Sequence, residues 1–276
     1  MVHGQDISLL RPQDTIAWLG GARVVAEQRD GHSETLVAVA HPSWNLRWRS
    51  LAWEGDTVFS RPRELNFPPL ARQLRDSAAT VVLLQFGEME SLGGQSGLSA
   101  FTDAYAQLLD SVGAVISRRI LISPAPLAEG LPGLNPERRA GLSVYTEAIR
   151  DLGSRKGIPV IELRSQESAA VDLARRLCFT HPLARATSNP QGRFLLPQVE
   201  AVRQAVIARN RLWFDYSRPM NWAFLAGDRT EQASSRDHRD RNIRWFSAEM
   251  ERFVPLITEA DQRIWNLSVA AYKEVR

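Results

Sequence analysis

The chain has 276 residues, 44% hydrophobic and 24% charged, with a formal net charge of +3, the make-up of a soluble globular chain able to bury a full core. Its basic residues are arginines apart from Lys156 and Lys273. They are interspersed with Asp and Glu, so a pI near 9.4 reads as mixed surface pairing and excludes the basic stripe of a nucleic-acid binder.

No window is apolar for long enough to cross a bilayer. The lone cysteine, Cys178, excludes an intrachain disulfide and offers no redox or zinc pattern. The first residues lack a basic segment followed by an apolar one, so the expectation is a cytoplasmic chain, or a periplasmic or secreted one if a signal was removed ahead of the numbering.

Residues 15–19 (TIAWL) form a short apolar run before Gly20-Gly21, a first strand closed by a tight turn. Helical stretches follow at 24–29 and 33–40, the second opened by Ser33 and stopped before Pro42. Residues 44–53 (WNLRWRSLAW) alternate bulky and polar and read as a second strand that delivers the turn Glu54-Gly55-Asp56. A helix is expected at 70–76, behind Pro68-Pro69.

The run 80–86 is the third strand, ending at Gly87 and a polar cluster, Glu88-Met89-Glu90-Ser91. Helical spacing over 98–117 and an apolar run at 119–123, stopped by Pro124, give the next helix and strand. Pro136 sits at a first helical position, and the helix it opens runs to a stop at Gly157. Residues 159–163 are the fifth strand.

Short apolar strands alternating with helices predict a parallel sheet covered on both faces. Its strand ends are where such sheets bind ligands. Beyond 164 the rhythm changes: an apolar stretch at 173–179, a loop at 180–193, an amphipathic helix at 197–213, an aromatic-rich stretch at 215–228, an exposed polar segment at 230–242, and a last helical stretch broken near Pro255.

Several turns, in order, resemble the SGNH/GDSL hydrolases, a three-layer α/β family of esterases and lipases, and in particular a divergent planctomycete-type branch. Gly20-Gly21-Ala22 matches the family's Gly-Asp-Ser, with Ala26-Glu27 and Glu34-Thr35-Leu36 as downstream pieces. Ala52-Trp53-Glu54-Gly55-Asp56-Thr57 resembles the second block, and Gly87-Glu88-Met89-Glu90-Ser91 the third, with Met89 in place of an oxyanion Asn. Ser123-Pro124, residues 218–222, Ala248-Glu249-Met250 and Ile264-Trp265 are similar to later parts of the branch.

The resemblance implies a three-layer α/β/α sandwich around a five-stranded parallel sheet, flavodoxin-like, over residues 1–215, with a C-terminal helical extension over 216–276 packed on it. Aligning Asn189 and Gly192 with the family's Asp-x-x-His loop puts Thr187 at the His and Leu183 at the Asp. On that alignment the nucleophile, the oxyanion Asn and the base are replaced, by Ala22, Met89 and Thr187.

Acyl transfer needs a nucleophile, a base with its orienter, and oxyanion donors. What remains is a pocket of Gly20, Gly21, Ala22, Gly55, Asp56, Gly87, Glu88, Met89 and Ser91, with the N–H groups of Gly55 and Ala22 as donors. The expectation is a pseudoenzyme that binds a small acyl or carbohydrate ligand or acts as a protein-interaction module.

Two alternatives stand beside it. One is an active esterase rebuilt around Ser91 and His181, with Glu88 and Glu90 as candidate paired carboxylates. The other is a structural subunit of a larger assembly. Trp213, Trp222, Trp245 and Trp265 read first as packing residues of the extension and second as a sugar platform or partner surface. The scattered His3, His32, His41, His181 and His238 show no ligand spacing, so no metal and no cofactor are expected.

Overall fold

A computed structural model describes residues 8–126, 136–165, 169–178, 187–189 and 191–275, with the side chains of 136–140 left aside. Five strands form one all-parallel sheet: β1 (Thr15–Gly20), β2 (Arg47–Ser50), β3 (Val81–Gln85), β4 (Arg119–Ile122) and β5 (Val160–Ile161), in the order β2-β1-β3-β4-β5. This is the flavodoxin-like doubly wound order, whose switch point lies between β1 and β3.

The helices are α1 (Ala22–Asp30), α2 (His32–Ala40), α3 (Leu70–Asp76), α4 (Leu98–Gly113), α5 (Pro136–Lys156), α6 (Ala169–Cys178), α7 (Pro197–Ser217), α8 (Trp222–Leu225), α9 (Trp245–Glu251) and α10 (Phe253–Val275). Residues alternate between the two faces of each strand. Ile16 and Trp18 of β1, with Val81 and Leu83 of β3, pack against α1, α2, α6 and α7; Ala17 and Leu19, with Val82 and Leu84, pack against α3, α4 and α5. Burial on both faces is why these strands read as unbroken apolar runs.

Most elements fall within a few residues of the sequence reading, and two places explain their own shift. The second strand is four residues long, because Pro42–Trp44 forms a 3-10 turn whose Trp44 ring stacks on His41 at 3.8 Å, and the chain leaves the sheet after Ser50. The C-terminal helical stretch breaks near Pro255, at Arg252 between α9 and α10. Pro255 lies in the first turn of α10, where the N–H it lacks would have no intrahelical partner.

After α7 the chain crosses the strand-end side of the molecule before α10 runs back along α7 and reaches α2. Indoles of α7 and of the chain after it donate to backbone carbonyls: Trp213 to Ser50 (2.7 Å), Trp222 to Leu65 (2.7 Å), Trp245 to Ser234 (2.8 Å) and Trp265 to Leu46 (3.0 Å). Cys178 is buried at the end of α6, and burial pushes its thiol up to about 12. No described helix is long and apolar enough to cross a membrane.

The end of β1 is the tightest packing point. A Cβ on Gly20 would lie 2.4 Å from Val24 Cγ2 and 2.6 Å from the Gln85 carbonyl oxygen. Because that oxygen belongs to the neighbouring strand and cannot give way alone, Gly20→Ala is expected to cost about 1–3 kcal/mol. A lowered urea midpoint with an unchanged slope is the expected reading; an unmoved midpoint would show that the β1–β3 end is looser than its geometry.

Candidate functional site at the strand ends

The switch point between β1 and β3 opens on a cleft of about 60 Å³ lined by Gly21, Ala22, Asp56, Glu88, Met89 and Glu90, with Arg23, Gln85, Phe86 and Pro124 completing it. Gly21 is glycine because the turn after β2 presses on it: a Cβ there would lie 2.8 Å from the Asp56 carbonyl oxygen. Its own carbonyl starts α1 by accepting the Val24 N–H at 3.0 Å. Ala22 is therefore the first residue of α1.

Of the residues expected at the site, Gly21, Ala22, Asp56, Glu88 and Met89 come together in the cleft. Gly20 lies behind it, and Gly55 stands at an open turn with no atom within 4 Å of an added Cβ. Gly87 holds a φ of +109°, a conformation that favours glycine. An added Cβ there would meet Ile149 and Pro124, each at 3.1 Å. Met89 is at the rim, 53% exposed.

The carboxylates are mostly committed. Glu90 is buried and accepts the N–H groups of Gly87 and Val58, each at 2.8 Å, so it ties the β3 turn to the segment after β2. Asp56 is buried, accepts the Trp53 N–H at 3.1 Å and is held through both oxygens by Arg63 at 2.6 and 2.7 Å. Glu88 is half-buried and makes no side-chain hydrogen bond to a described residue. The expected pairing of Glu88 with Glu90 is thereby broken: β3 ends at Gln85, the chain turns, and Glu90–Gly93 is a 3-10 helix.

Ser91 is also occupied. Its hydroxyl donates to the Glu88 carbonyl at 2.7 Å and its N–H to the Gly87 carbonyl at 3.0 Å, a side-chain turn that closes the loop. Ser91 does not line the cleft among the described residues.

His181 and Leu183 lie outside the described residues, as does His3. Thr187 is exposed. Asn189 accepts the N–H groups of Gln191 and Arg193, each at 3.0 Å, in a tight turn whose Gly192 carbonyl lies 2.6 Å from His32 Nε2. His41 is pushed down by burial against its Trp44 stack. Among the described residues no three His, Cys, Asp or Glu side chains group to hold a metal.

Sequence reasoning missed Glu90 as a loop tie and Arg63 as the partner of Asp56. The signal for the second was present: Arg63 follows Asp56 by seven residues, a spacing a short loop can close. Arg63 and Arg218 also stack on Trp53, at 4.3 and 4.4 Å. Glu54 pairs with Arg218 (2.8 Å) and Arg29 (3.1 Å); burial pushes its carboxyl up, but the Arg218 hydrogen bond and the two arginine charges together hold it below the usual range.

No family model matches the chain, and neither does the sequence of a curated protein. Solved structures of similar outline include a gut microbial diltiazem-metabolizing enzyme, with TM-score 0.45, 14% identity, 58% of this chain and 39% of that one covered. Another is a lipase/acylhydrolase from Enterococcus faecalis, with TM-score 0.45, 15% identity, and 60% and 95% covered. A third is a catalytic mutant of an acetylxylan esterase from Geobacillus stearothermophilus, with TM-score 0.44, 11% identity, and 61% and 94% covered.

Proposed function

We propose that this chain is an SGNH-hydrolase-like protein that keeps the strand-end pocket of its fold without the acyl-transfer chemistry, and that it works as a binding module for a small acyl or carbohydrate group. One observation carries the reading: the described lining of the cleft holds no hydroxyl, thiol or imidazole, and Ala22 occupies the first turn of α1. Asp56 and Glu90 have both oxygens in hydrogen bonds, which leaves Glu88 as a single uncommitted carboxylate without the second group that acid–base chemistry requires. At about 60 Å³ the cleft admits a group of acetyl size and not a drug-sized ligand.

The test is reaction with a fluorophosphonate probe together with p-nitrophenyl acetate turnover, for the parent, Ser91→Ala and His181→Ala. No labelling and turnover at the buffer rate are expected in all three. Ser91→Ala is further expected to lower stability by about 0.5–1.5 kcal/mol, the worth of its bond to the Glu88 carbonyl. Labelling of the parent that disappears in either variant would overturn the reading and make the chain a hydrolase with a rebuilt site.

A further inference from the structure

Beside the cleft, on the other side of Asp56, lies a second cavity of about 370 Å³. Its walls are about evenly polar and apolar: Leu19, Val58, Phe59 and Phe67 form an apolar side, and Arg61 and Arg63 lead the polar one. The two guanidinium groups differ in their situation. Arg63 is neutralised by its two-pronged pair with Asp56 and lies over the Trp53 ring. Arg61 makes no ion pair and no side-chain hydrogen bond with a described residue, although it is half-buried and its Nη1 is shielded from solvent.

Charges near Arg61 do not satisfy it. Asp56 attracts it, but both Asp56 oxygens and the Trp53 N–H bond are already committed, and Arg63 repels it. Burial accordingly pushes the Arg61 guanidinium down from its ordinary value. A cation withdrawn from water without a counter-ion is costly, and the cost is removed when an anion supplies the missing acceptors. A guanidinium presents its donors as a planar fork that matches a carboxylate through two parallel bonds.

We propose that the cavity beside Asp56 is a binding site for a small organic monocarboxylate, whose carboxylate pairs with Arg61 and whose apolar body packs against Leu19, Val58, Phe59 and Phe67. The charge count selects the class: one uncompensated cation takes one negative charge, and a polyanion or inorganic phosphate would bring charge that the cavity does not balance. The volume is that of a small-molecule site. The site does not depend on whether the neighbouring cleft turns over esters.

The experiment is isothermal titration of the full chain with phenylacetate, its neutral isostere phenylacetamide, and inorganic phosphate, repeated on Arg61→Gln. Phenylacetate is expected to bind and both other probes to bind at least about tenfold more weakly; Arg61→Gln is expected to lose about tenfold in phenylacetate affinity. Without ligand the variant is expected to be no less stable than the parent, since it removes a cation that pairs with nothing described; this keeps a loss of binding distinct from a loss of fold. Absence of phenylacetate binding at millimolar concentration, equal binding of phenylacetamide, or unchanged affinity in Arg61→Gln would each overturn the assignment. Phosphate binding more tightly than phenylacetate would overturn the carboxylate class. None of these outcomes bears on the fluorophosphonate and turnover test, so failure of the two proposals is separable.

Discussion

Arg209→Ala is expected to remove about 3–5 kcal/mol of folding stability, the cost of breaking a buried ionic cluster by deleting one cation. Arg209, on α7, is fully buried and is the largest side chain so placed among the described residues. It donates to Glu34 of α2 and to the Trp48 carbonyl of β2, and its Nε lies 3.4 Å from Asp261 of α10. Arg49 of β2 closes the set, donating to Asp261 through both terminal nitrogens and lying 5.1 Å over the Trp213 ring. Two arginines and two carboxylates balance, and four elements from across the chain meet there.

Without Arg209, the Trp48 carbonyl keeps only Arg49 as a charged donor, two buried carboxylates share one arginine, and a cavity is left that surrounding helices can fill only in part. Arg209→Lys is expected to recover less than half of the loss, because an ammonium cannot span Glu34, the carbonyl and Asp261 with a fixed fork. Urea denaturation of the three proteins reads the effect directly. An alanine variant within about 1 kcal/mol of the parent would show that the cluster is strained or wetter than its burial implies, and that α10 is held by its apolar contacts alone.

This cluster marks where the sequence stopped being legible. The strands at 81–85 and 119–122 could be read because burial on both faces makes them continuous apolar runs, and the helix stop at Gly157 because its φ of +63° is one that glycine adopts easily. Arg47 and Arg49 stand at polar positions of the alternation over 44–53, which gives no sign of burial. Arg49 is instead buried, because its partner Asp261 lies 212 residues away, and no local pattern announces such a pair.

The candidate site shows the same limit. Glycines at 20, 21 and 87 could be placed at strand ends because backbone sterics act locally. Glu90 could not be told from a catalytic acid, because its partners are N–H groups of the turn and of Val58, which every residue but proline carries. Ser91 looked available for the same reason: only the fold shows its hydroxyl spent on the Glu88 carbonyl. Polar side chains committed to the backbone and polar side chains offered to a ligand have one spelling.

The second large effect concerns the other end of the Arg209 cluster and has the opposite sign. The Glu34 carboxyl is raised from 4.5 to about 7, because burial, opposed by Arg209 and Arg49 and helped by Asp261, disfavours its charge. The folded state therefore holds the Glu34 proton more tightly than the unfolded chain does. Its contribution to stability is fully present below pH 4.5 and is lost as pH rises through about 7. A shift of this size corresponds to about 3 kcal/mol across that window, at roughly 1.4 kcal/mol per unit.

Glutamine copies the neutral carboxyl in shape and keeps an acceptor for Arg209. Arg209 itself keeps Asp261 and the Trp48 carbonyl. Glu34→Gln is consequently expected to match the parent near pH 4.5 and to exceed it by about 1–3 kcal/mol at pH 8, where the parent must ionise a buried group. The difference between the two denaturation midpoints should grow steadily with pH between those limits, with other titrating groups cancelling in the comparison. A difference independent of pH, or a variant less stable at pH 8 than at pH 5 relative to the parent, would mean that Arg209 holds Glu34 ionised throughout. The asymmetry with Arg209→Ala has a simple origin: arginine keeps its proton under all these conditions, whereas a buried carboxyl can relieve its own desolvation by taking one up.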